Sequence, residues 1–198
     1  ILEPGGDDCY TSKAGSADGL NGRPLAAILD LAGNDRYVGN RLLGPGSALF
    51  GVCMILDLAG DDCHKAEWIG QAAAMFGVTC LEDRAGRDSF QARAFAQAAA
   101  LAGVATLVER SGNDSFEIGC KGQAYADVLG IAWLTDHAGH DQYIAGRAFP
   151  DAERHDDRFL SLAQACAMGW RPFAGGGIAA LVDCAGNDSY QADIFGQG

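Results

Sequence analysis

Aspartates return at fixed positions along this sequence, each close to a glycine. The segment SGNDSF at 111–116 is repeated as AGNDSY at 185–190, with an aspartate two residues after the glycine in both. Carboxylate oxygens are the ligands that Ca²⁺ prefers in proteins. The same side chains can instead accept hydrogen bonds from the main-chain N–H groups of their own turn. The segment therefore indicates either turn capping or calcium binding.

The glycine-aspartate pattern occurs seven times and carries two series of acids. Successive anchor glycines are 26 or 27 residues apart, except for one interval of 47 residues. One series of acids stands two residues after the glycine, and the other stands three residues before it. Because stacked carboxylates repel one another, their charge must be offset by hydrogen bonds or by cations. The anchor glycines are Gly6, Gly33, Gly60, Gly86, Gly112, Gly139 and Gly186. The candidate calcium ligands are Asp35, Asp57, Asp62, Asp83, Asp88, Asp114, Asp136, Asp141, Asp183 and Asp188.

The 47-residue interval contains two insertions, at about 147–161 and 169–177, on either side of a single predicted strand. Loops on a rigid scaffold often carry function. A histidine beside aspartates could act in general acid–base catalysis, and a tryptophan near arginines could stack on a sugar or hold a carboxylate. The same segments also fit solvated loops without chemistry, or loops that dock another domain. The catalytic candidates are His155, Asp156 and Asp157, and the binding candidates are Arg154, Arg158, Trp170 and Arg171.

The elements that position these residues follow from the repeat, because a period of 26–27 residues is typical of a solenoid. Small residues recur at every second position after a glutamine, as in QAAA, and rings alternate with polar neighbours, as in DSF. This period of two favours strands. The sequence predicts an all-β fold, a right-handed parallel β-helix of about seven coils. The alanine-rich segments leave an α/β solenoid as the alternative.

Stacked coils would place equivalent residues in ladders about 4.8 Å apart. A ring stands four residues after each anchor glycine, and a glutamine stands eleven residues after four of them. We expect the rings to fill the interior, and the glutamines to satisfy their amides from coil to coil, as stacked amides do in cross-β structures. The rings are Tyr10, Tyr37, His64, Phe90, Phe116, Tyr143 and Tyr190. The glutamines are Gln71, Gln97, Gln123 and Gln197, with Gln164 displaced by the insertions.

The pattern D-x-x-G-x-D-x-Y followed by a Q-G/A segment resembles tandem-repeat bacterial β-solenoid proteins, which are largely uncharacterised. This resemblance covers nearly the whole chain and implies an elongated solenoid. The turns GGDD and AGNDSY are also similar to those of calcium-binding RTX repeats. RTX units recur every nine residues, so the calcium ligands of that family cannot be transferred to this chain residue by residue.

Composition limits the classes of function. The net charge of −12 argues against nucleic acid as a partner, and no apolar run approaches the 18 or so residues of a membrane span. We expect residues 1–198 to form a single repeat domain that is part of a longer array, in an extracellular or cell-envelope protein. The predicted function is a scaffold or binding surface, stabilised by calcium, with a protein or glycan partner or with copies stacked end to end. The alternative is a carbohydrate-active lyase or hydrolase with its site at the interrupted coil.

Overall fold

Three sheets of parallel strands wind around one interior, as seen in a computed structural model that describes residues 1–40, 42–153 and 155–197. Strands are numbered β1–β23 in chain order. The first sheet consists of β1 (Leu2–Glu3), β4 (Leu25–Asp30), β7 (Val52–Asp57), β10 (Val78–Asp83), β13 (Val104–Glu109), β16 (Ile131–Asp136) and β21 (Ile178–Asp183). The second consists of β2 (Cys9–Thr11), β5 (Arg36–Gly39), β8 (Cys63–Ala66), β11 (Ser89–Ala94), β14 (Ser115–Cys120), β17 (Gln142–Ala145) and β22 (Ser189–Gln191). The third consists of β3 (Ala17–Asp18), β6 (Ser47–Leu49), β9 (Ala73–Met75), β12 (Ala99–Leu101), β15 (Tyr125–Ala126) and β20 (Cys166–Ala167).

This architecture confirms the predicted parallel β-helix. The first and second sheets each contain seven strands, one for every repeat of the sequence. Within the described ranges the only helix is a short 3₁₀ helix, Gly19–Asn21, so the alternative α/β solenoid is wrong. The same residues include no helix that is long and apolar enough to cross a bilayer.

The aromatic ladder is confirmed in the interior from Tyr10 to Tyr143, and Tyr190, at the end of the stack, is 39% exposed. Equivalent rings of successive coils stack with their centroids 4.4–4.8 Å apart and their planes within 12° of parallel. An aliphatic ladder packs against them, with Ile28, Ile55, Leu81 and Leu107 fully buried. One coil alone could not bury these side chains, so each coil depends on its neighbours for its core.

The glutamine ladder is present, but its predicted hydrogen bonding is wrong. Nε2 of Gln97 donates to the main-chain oxygens of Phe90, at 3.0 Å, and Glu117, at 2.9 Å. Oε1 of Gln97 has no hydrogen-bond partner. The amides do not pair with one another because Gln97 and Ala98 adopt left-handed backbone conformations, with φ of 55° and 60°. This turn directs the amide nitrogen toward strand carbonyls instead of the neighbouring amide.

The anchor glycines are required by the close approach of successive coils. A Cβ atom at Gly60 would lie 1.6 Å from the carbonyl oxygen of Gly33, and one at Gly86 would lie 1.5 Å from that of Gly60. No side chain fits such a gap. The glycine of the G-x-D pattern therefore fixes how tightly the coils stack at this corner.

The two insertions leave the solenoid at different corners. The first contains β18 (Pro150–Asp151) and the beginning of β19 (His155–Ala163), which pair antiparallel. Further along, β19 pairs in parallel with β23 (Ile194–Gly196). The second insertion follows β20 and forms a turn closed by a bridge between Trp170 and Ala174. Strand β20 thus lies between the hairpin and this turn along the chain.

Candidate metal centre

The acids three residues before each anchor glycine end the strands of the first sheet, at positions that face the interior. Asp30, Asp57, Asp83, Glu109 and Asp136 are all 0% exposed. They face inward because the alternation of each strand places every second residue, from Ile55 to Asp57 for example, on the core side. Five consecutive coils therefore carry a carboxyl group within the protein interior.

The acids two residues after each glycine form a second buried series joined by main-chain hydrogen bonds. The amide of Asp35 donates to Oδ1 of Asp62 at 2.6 Å, and the amide of Asp62 donates to Oδ1 of Asp88 at 2.7 Å. The bonds continue through Asp114 and Asp141. The prediction that each aspartate caps its own turn is wrong for this series, because each carboxyl group binds the N–H of the preceding coil. These side chains connect coils.

The two series together form a carboxylate column, defined here as the interior acids from Asp30 to Asp141. Within it, four groups of three acids each place one oxygen per residue within 4.8 Å of the others. These groups could hold metal ions. They are Asp30, Asp35 and Asp57; Asp57, Asp62 and Asp83; Asp83, Asp88 and Glu109; and Asp114, Asp136 and Asp141.

Every acid of the column has at least one buried oxygen without a hydrogen-bond partner. In the turn series this is Oδ2, as in Asp62 and Asp88, and in the strand series it is Oδ1 of Asp57 or Oε2 of Glu109. Burying a polar atom without a partner costs about 1–3 kcal/mol, and more for a charged group. The column therefore contains more acceptors than the protein supplies with donors, as expected of a site that binds protons or cations.

Tyrosine hydroxyls donate hydrogen bonds to acids of the column only toward its ends. Tyr37 donates to Asp57 at 2.7 Å and Tyr143 donates to Asp136 at 2.7 Å. In the central coils the ladder contains Phe90 and Phe116, which have no hydroxyl. The group of Asp83, Asp88 and Glu109 consequently receives no tyrosine hydroxyl.

His64 takes the place of a tyrosine in the ring ladder, directly beside the column. Its Nε2 lies 3.6 Å from Oδ2 of Asp83 and has no hydrogen-bond partner. Burial lowers the pKa of His64 to about 4, although the charge of Asp57 opposes this. The imidazole is therefore neutral at neutral pH and does not offset the carboxylate charge.

Burial raises the pKa of the carboxyl groups. The pKa values of Asp35 and Asp114 rise to about 6, with burial as the main cause in both. The pKa values of Asp62, Asp83 and Glu109 also rise, first because of burial and then because of neighbouring acids. Two carboxylates within 4.8 Å of each other repel by roughly 3.5 kcal/mol or more at an effective dielectric constant of about 20. Without a cation, part of the column holds protons at neutral pH.

The oxygen ligands of the groups suit a hard cation such as Ca²⁺. Because the three oxygens of a group lie within 4.8 Å of one another, an ion at the centre of the group would lie at most about 2.8 Å from each, a limit that includes the 2.3–2.6 Å of calcium–oxygen bonds. A surface cavity of about 350 Å³ is lined by Asp88 and Asp114, so this part of the column lies close to solvent. The residues therefore fit a calcium ion, which would neutralise the negative charge of a group.

Most of the predicted calcium ligands belong to the four groups, but the two from the last repeat do not. Asp183 and Asp188 are outside them, and the hydroxyl of Tyr190 donates to Asp183. Conversely, Asp30 and Glu109 belong to groups although they were not candidate ligands. Their position three residues before a glycine was the signal that could have identified them.

Among the loop candidates whose side chains the structure describes, those of the first insertion and those of the second lie apart. Asp157 and Arg158 line a surface cavity of about 570 Å³ beside the hairpin, and Arg158 forms an ion pair with Asp193 at 3.2 Å. Trp170 is 64% exposed in the turn of the second insertion and lines none of the cavities described here. Arg171 precedes Pro172 in the same turn. Arg154 and the side chains of His155 and Asp156 lie outside the described part of the chain.

A cluster that sequence analysis missed lies where the hairpin meets the second sheet. The guanidinium group of Arg93 lies 5.5 Å from the ring centroid of Trp68 and 5.4 Å from that of Phe149, which the first insertion provides. Arg93 and Arg147 line a cavity of about 380 Å³, and Arg147 also lines the cavity that contains Arg158. No motif signals this arrangement, because its members are far apart in the sequence.

Comparisons of the chain with protein-family models, with curated proteins and with solved structures found no match. Conclusions about function therefore depend on the geometry of this molecule alone.

Proposed function

We propose that this protein is a rigid β-solenoid scaffold whose interior carboxylate column binds calcium ions. The observation that carries the proposal is the set of four buried acid groups, whose oxygens lie within 4.8 Å of one another and include oxygens without partners. A scaffold role is supported by the continuous ladders, which make each coil the template for the next. Calcium would offset the repulsion that the column would otherwise create.

The experiment is a calcium titration of chelator-treated protein by calorimetry, with the melting midpoint measured in parallel. We expect binding to more than one site and a rising midpoint, since a ligand at 100 times its dissociation constant stabilises the folded state by about 2.7 kcal/mol per site. Magnesium at the same concentration is the matched control and should have a smaller effect. Absence of both heat and stabilisation at millimolar calcium would refute calcium binding and leave a column that only holds protons.

A second candidate function is glycan binding beside the hairpin, favoured by the position of Arg93 next to the rings of both Trp68 and Phe149, whose centroids are 6.1 Å apart. Aromatic faces stack on sugar rings, and arginines hold carboxylates in a bidentate manner. An acidic oligosaccharide would thus be bound by the two neighbouring cavities that share Arg147. Glycan-array binding that is lost in Arg93→Ala but retained in Arg171→Ala would support it. Binding that depends on Arg171 instead would place the glycan at the second insertion.

A further inference from the structure

The outer face of the first sheet is apolar over six consecutive strands. The outward positions of β7, for example, are Val52, Met54 and Leu56, and those of β16 begin with Ile131 and Trp133. Met54 is 47% exposed and Trp133 is 42% exposed. The outward positions of the second sheet are different, with Gln91 and Arg93 on β11. Exposed apolar patches of this extent on soluble proteins mark interaction surfaces.

The apolar face extends around one corner of the solenoid. Phe50 and Phe76 stack with their centroids 4.8 Å apart and are each about half exposed. Leu129 occupies the equivalent turn two coils beyond that of Phe76 and is 76% exposed. The surface that needs a partner therefore includes both the sheet face and this corner.

The side chains of this face form regular rows. Neighbouring strands align position by position, so that Met54 pairs with Cys80, and Thr106 pairs with Trp133. Rows of side chains thus repeat every 4.8 Å or so along the axis. A partner fills the grooves of such a surface only if its own side chains have the same spacing. The same face of a second copy has that spacing.

Charge allows two copies to meet here. Among the outward positions of β4, β7, β10, β13, β16 and β21, all of them described, the only charged side chain is Glu82. Its Oε1 lies 3.1 Å from Nε of both Arg84 and Arg110. The net charge of −12 includes the ten interior acids of the carboxylate column, so acids and bases nearly balance over the rest of the chain. This face is distinguished by carrying almost no charge, and no charge repulsion opposes its approach to a second copy.

The area is sufficient for a specific dimer. With a strand spacing of about 4.8 Å and a rise of about 3.3 Å per residue, six strands of six residues cover about 600 Å². Two such faces would bury roughly 1,200 Å² in total, before the corner is counted, which reaches the range of stable interfaces. Face-to-face packing of two sheets about 10 Å apart is also a common arrangement.

We propose that the outer face of the first sheet binds the same face of a second copy of this chain, forming a two-fold symmetric dimer. The interface would be isologous, since each copy contributes the same rows of side chains. Met54 and Trp133 would lie in its middle row of side chains, and Phe50 and Phe76 at its margin.

The test is sedimentation equilibrium over a wide range of protein concentration. We expect the mass to rise from 20.6 kDa toward twice that value. Trp133→Glu and, separately, Met54→Lys should each raise the dimer dissociation constant roughly 30-fold or more, as loss of a central contact does. Gln142→Glu, an exposed change on the second sheet, is the matched control and should leave association unchanged. Circular dichroism checks that each variant folds.

Fluorescence gives a second readout of the same interface. In a Trp68→Phe, Trp170→Phe background, Trp133 is the remaining tryptophan, and its emission should shift to shorter wavelength as the dimer forms. A chain that stays monomeric at about 100 μM would overturn the proposal. So would a dimer that survives both Trp133→Glu and Met54→Lys. Monomeric protein that binds neutral lipid vesicles through Trp133 would overturn it in favour of a lipid surface.

Discussion

Gly60 lies where the main chains of two coils come closest. A Cβ atom there would be 1.6 Å from the carbonyl oxygen of Gly33, so Gly60→Ala forces the coils apart. We expect a loss of about 3 kcal/mol or more in the free energy of unfolding. Gly175→Ala is the matched control, because nothing lies within 4 Å of a Cβ at that position. Urea denaturation of both variants measures the difference, and equal effects would contradict the account of the anchor glycines.

Asp62 belongs both to the inter-coil hydrogen bonds and to a candidate calcium group. Asp62→Asn keeps an oxygen for the amide of Asp35 and gives the neighbouring carboxylates a donor. We therefore expect a higher melting midpoint in calcium-free buffer at about pH 8, by an amount equivalent to about 1–3 kcal/mol. The rise caused by calcium should be smaller than in the unmodified chain.

Asp188→Asn is the control for this change, since Asp188 is in the same series but outside the four groups. It should leave the calcium response of the midpoint nearly unchanged. If Asp62→Asn instead lowers the midpoint without calcium and leaves the calcium response intact, its role is purely structural.

At the scale of elements, the glutamine turn joins two strands through one side chain. Nε2 of Gln97 donates to the carbonyl oxygens of Phe90 and Glu117, which belong to neighbouring coils. Gln97→Glu removes both bonds and places an acid against two carbonyls. We expect a loss of about 2–4 kcal/mol in the free energy of unfolding by urea denaturation.

Gln91→Glu makes the same chemical change on the same coil, at an exposed position next to Glu117. It should cost less than about 1 kcal/mol, because solvent screens the new charge. Comparable losses in the two variants would show that charge, and not the buried hydrogen bonds, determines the effect.

The sequence predicts the elements of the solenoid because each repeat places the same residue type in the same environment. The stacked rings from Tyr10 to Tyr190 could be assigned from spacing alone. The partners of the Gln97 amide could not, since they depend on left-handed φ values at Gln97 and Ala98 that a helix-forming sequence such as QAAA does not signal. The hairpin of β18 and β19 could not be predicted either, because an insertion occurs only once and no other repeat contains an equivalent segment for comparison.

At the scale of the whole molecule, the column makes stability depend on pH and calcium together. The pKa values of Asp35 and Asp114 rise to about 6 on folding, so their protonation stabilises the folded state fully below the unfolded pKa of 3.8 and is lost as pH rises through 6. The effect of pH on stability through His64 is opposite. Its pKa falls to about 4 on folding, so its contribution to stability is lost as pH falls from 6.5 through 4. The carboxyl groups outnumber this histidine.

The pKa values of Asp83 and Asp88 rise further, to about 8, mainly because of burial. We therefore expect the melting midpoint in calcium-free buffer to fall as pH rises from about 4 to 8. Calcium at about 1 mM should reduce that fall, since cations replace the protons that leave the column. Differential scanning calorimetry across this pH range, with and without calcium, provides the measurement. A midpoint that rises steadily with pH in calcium-free buffer would contradict the raised pKa values.

The structure of the scaffold could be predicted from the sequence more completely than the features of its surfaces. The apolar outer face could have been predicted from alternate residues of the first-sheet strands, Val52 and Met54 or Ile131 and Trp133, once their inward partners were assigned. Cavities such as the one lined by Arg93 and Arg147 could not, because they depend on where the hairpin packs. Periodic features can be predicted from sequence, and contacts between non-equivalent segments cannot.

Because each coil packs only against the coils before and after it, loss of structure in this molecule should proceed as a moving boundary. Opening one coil removes one ring from the stack and one link from the series of bonds that joins Asp35 to Asp141. The cost of each step is therefore nearly the same, as in a zipper. The boundary should pause at the coil from Gly139 to Gly186, where the pairing of β19 with both β18 and β23 adds contacts that other coils do not have.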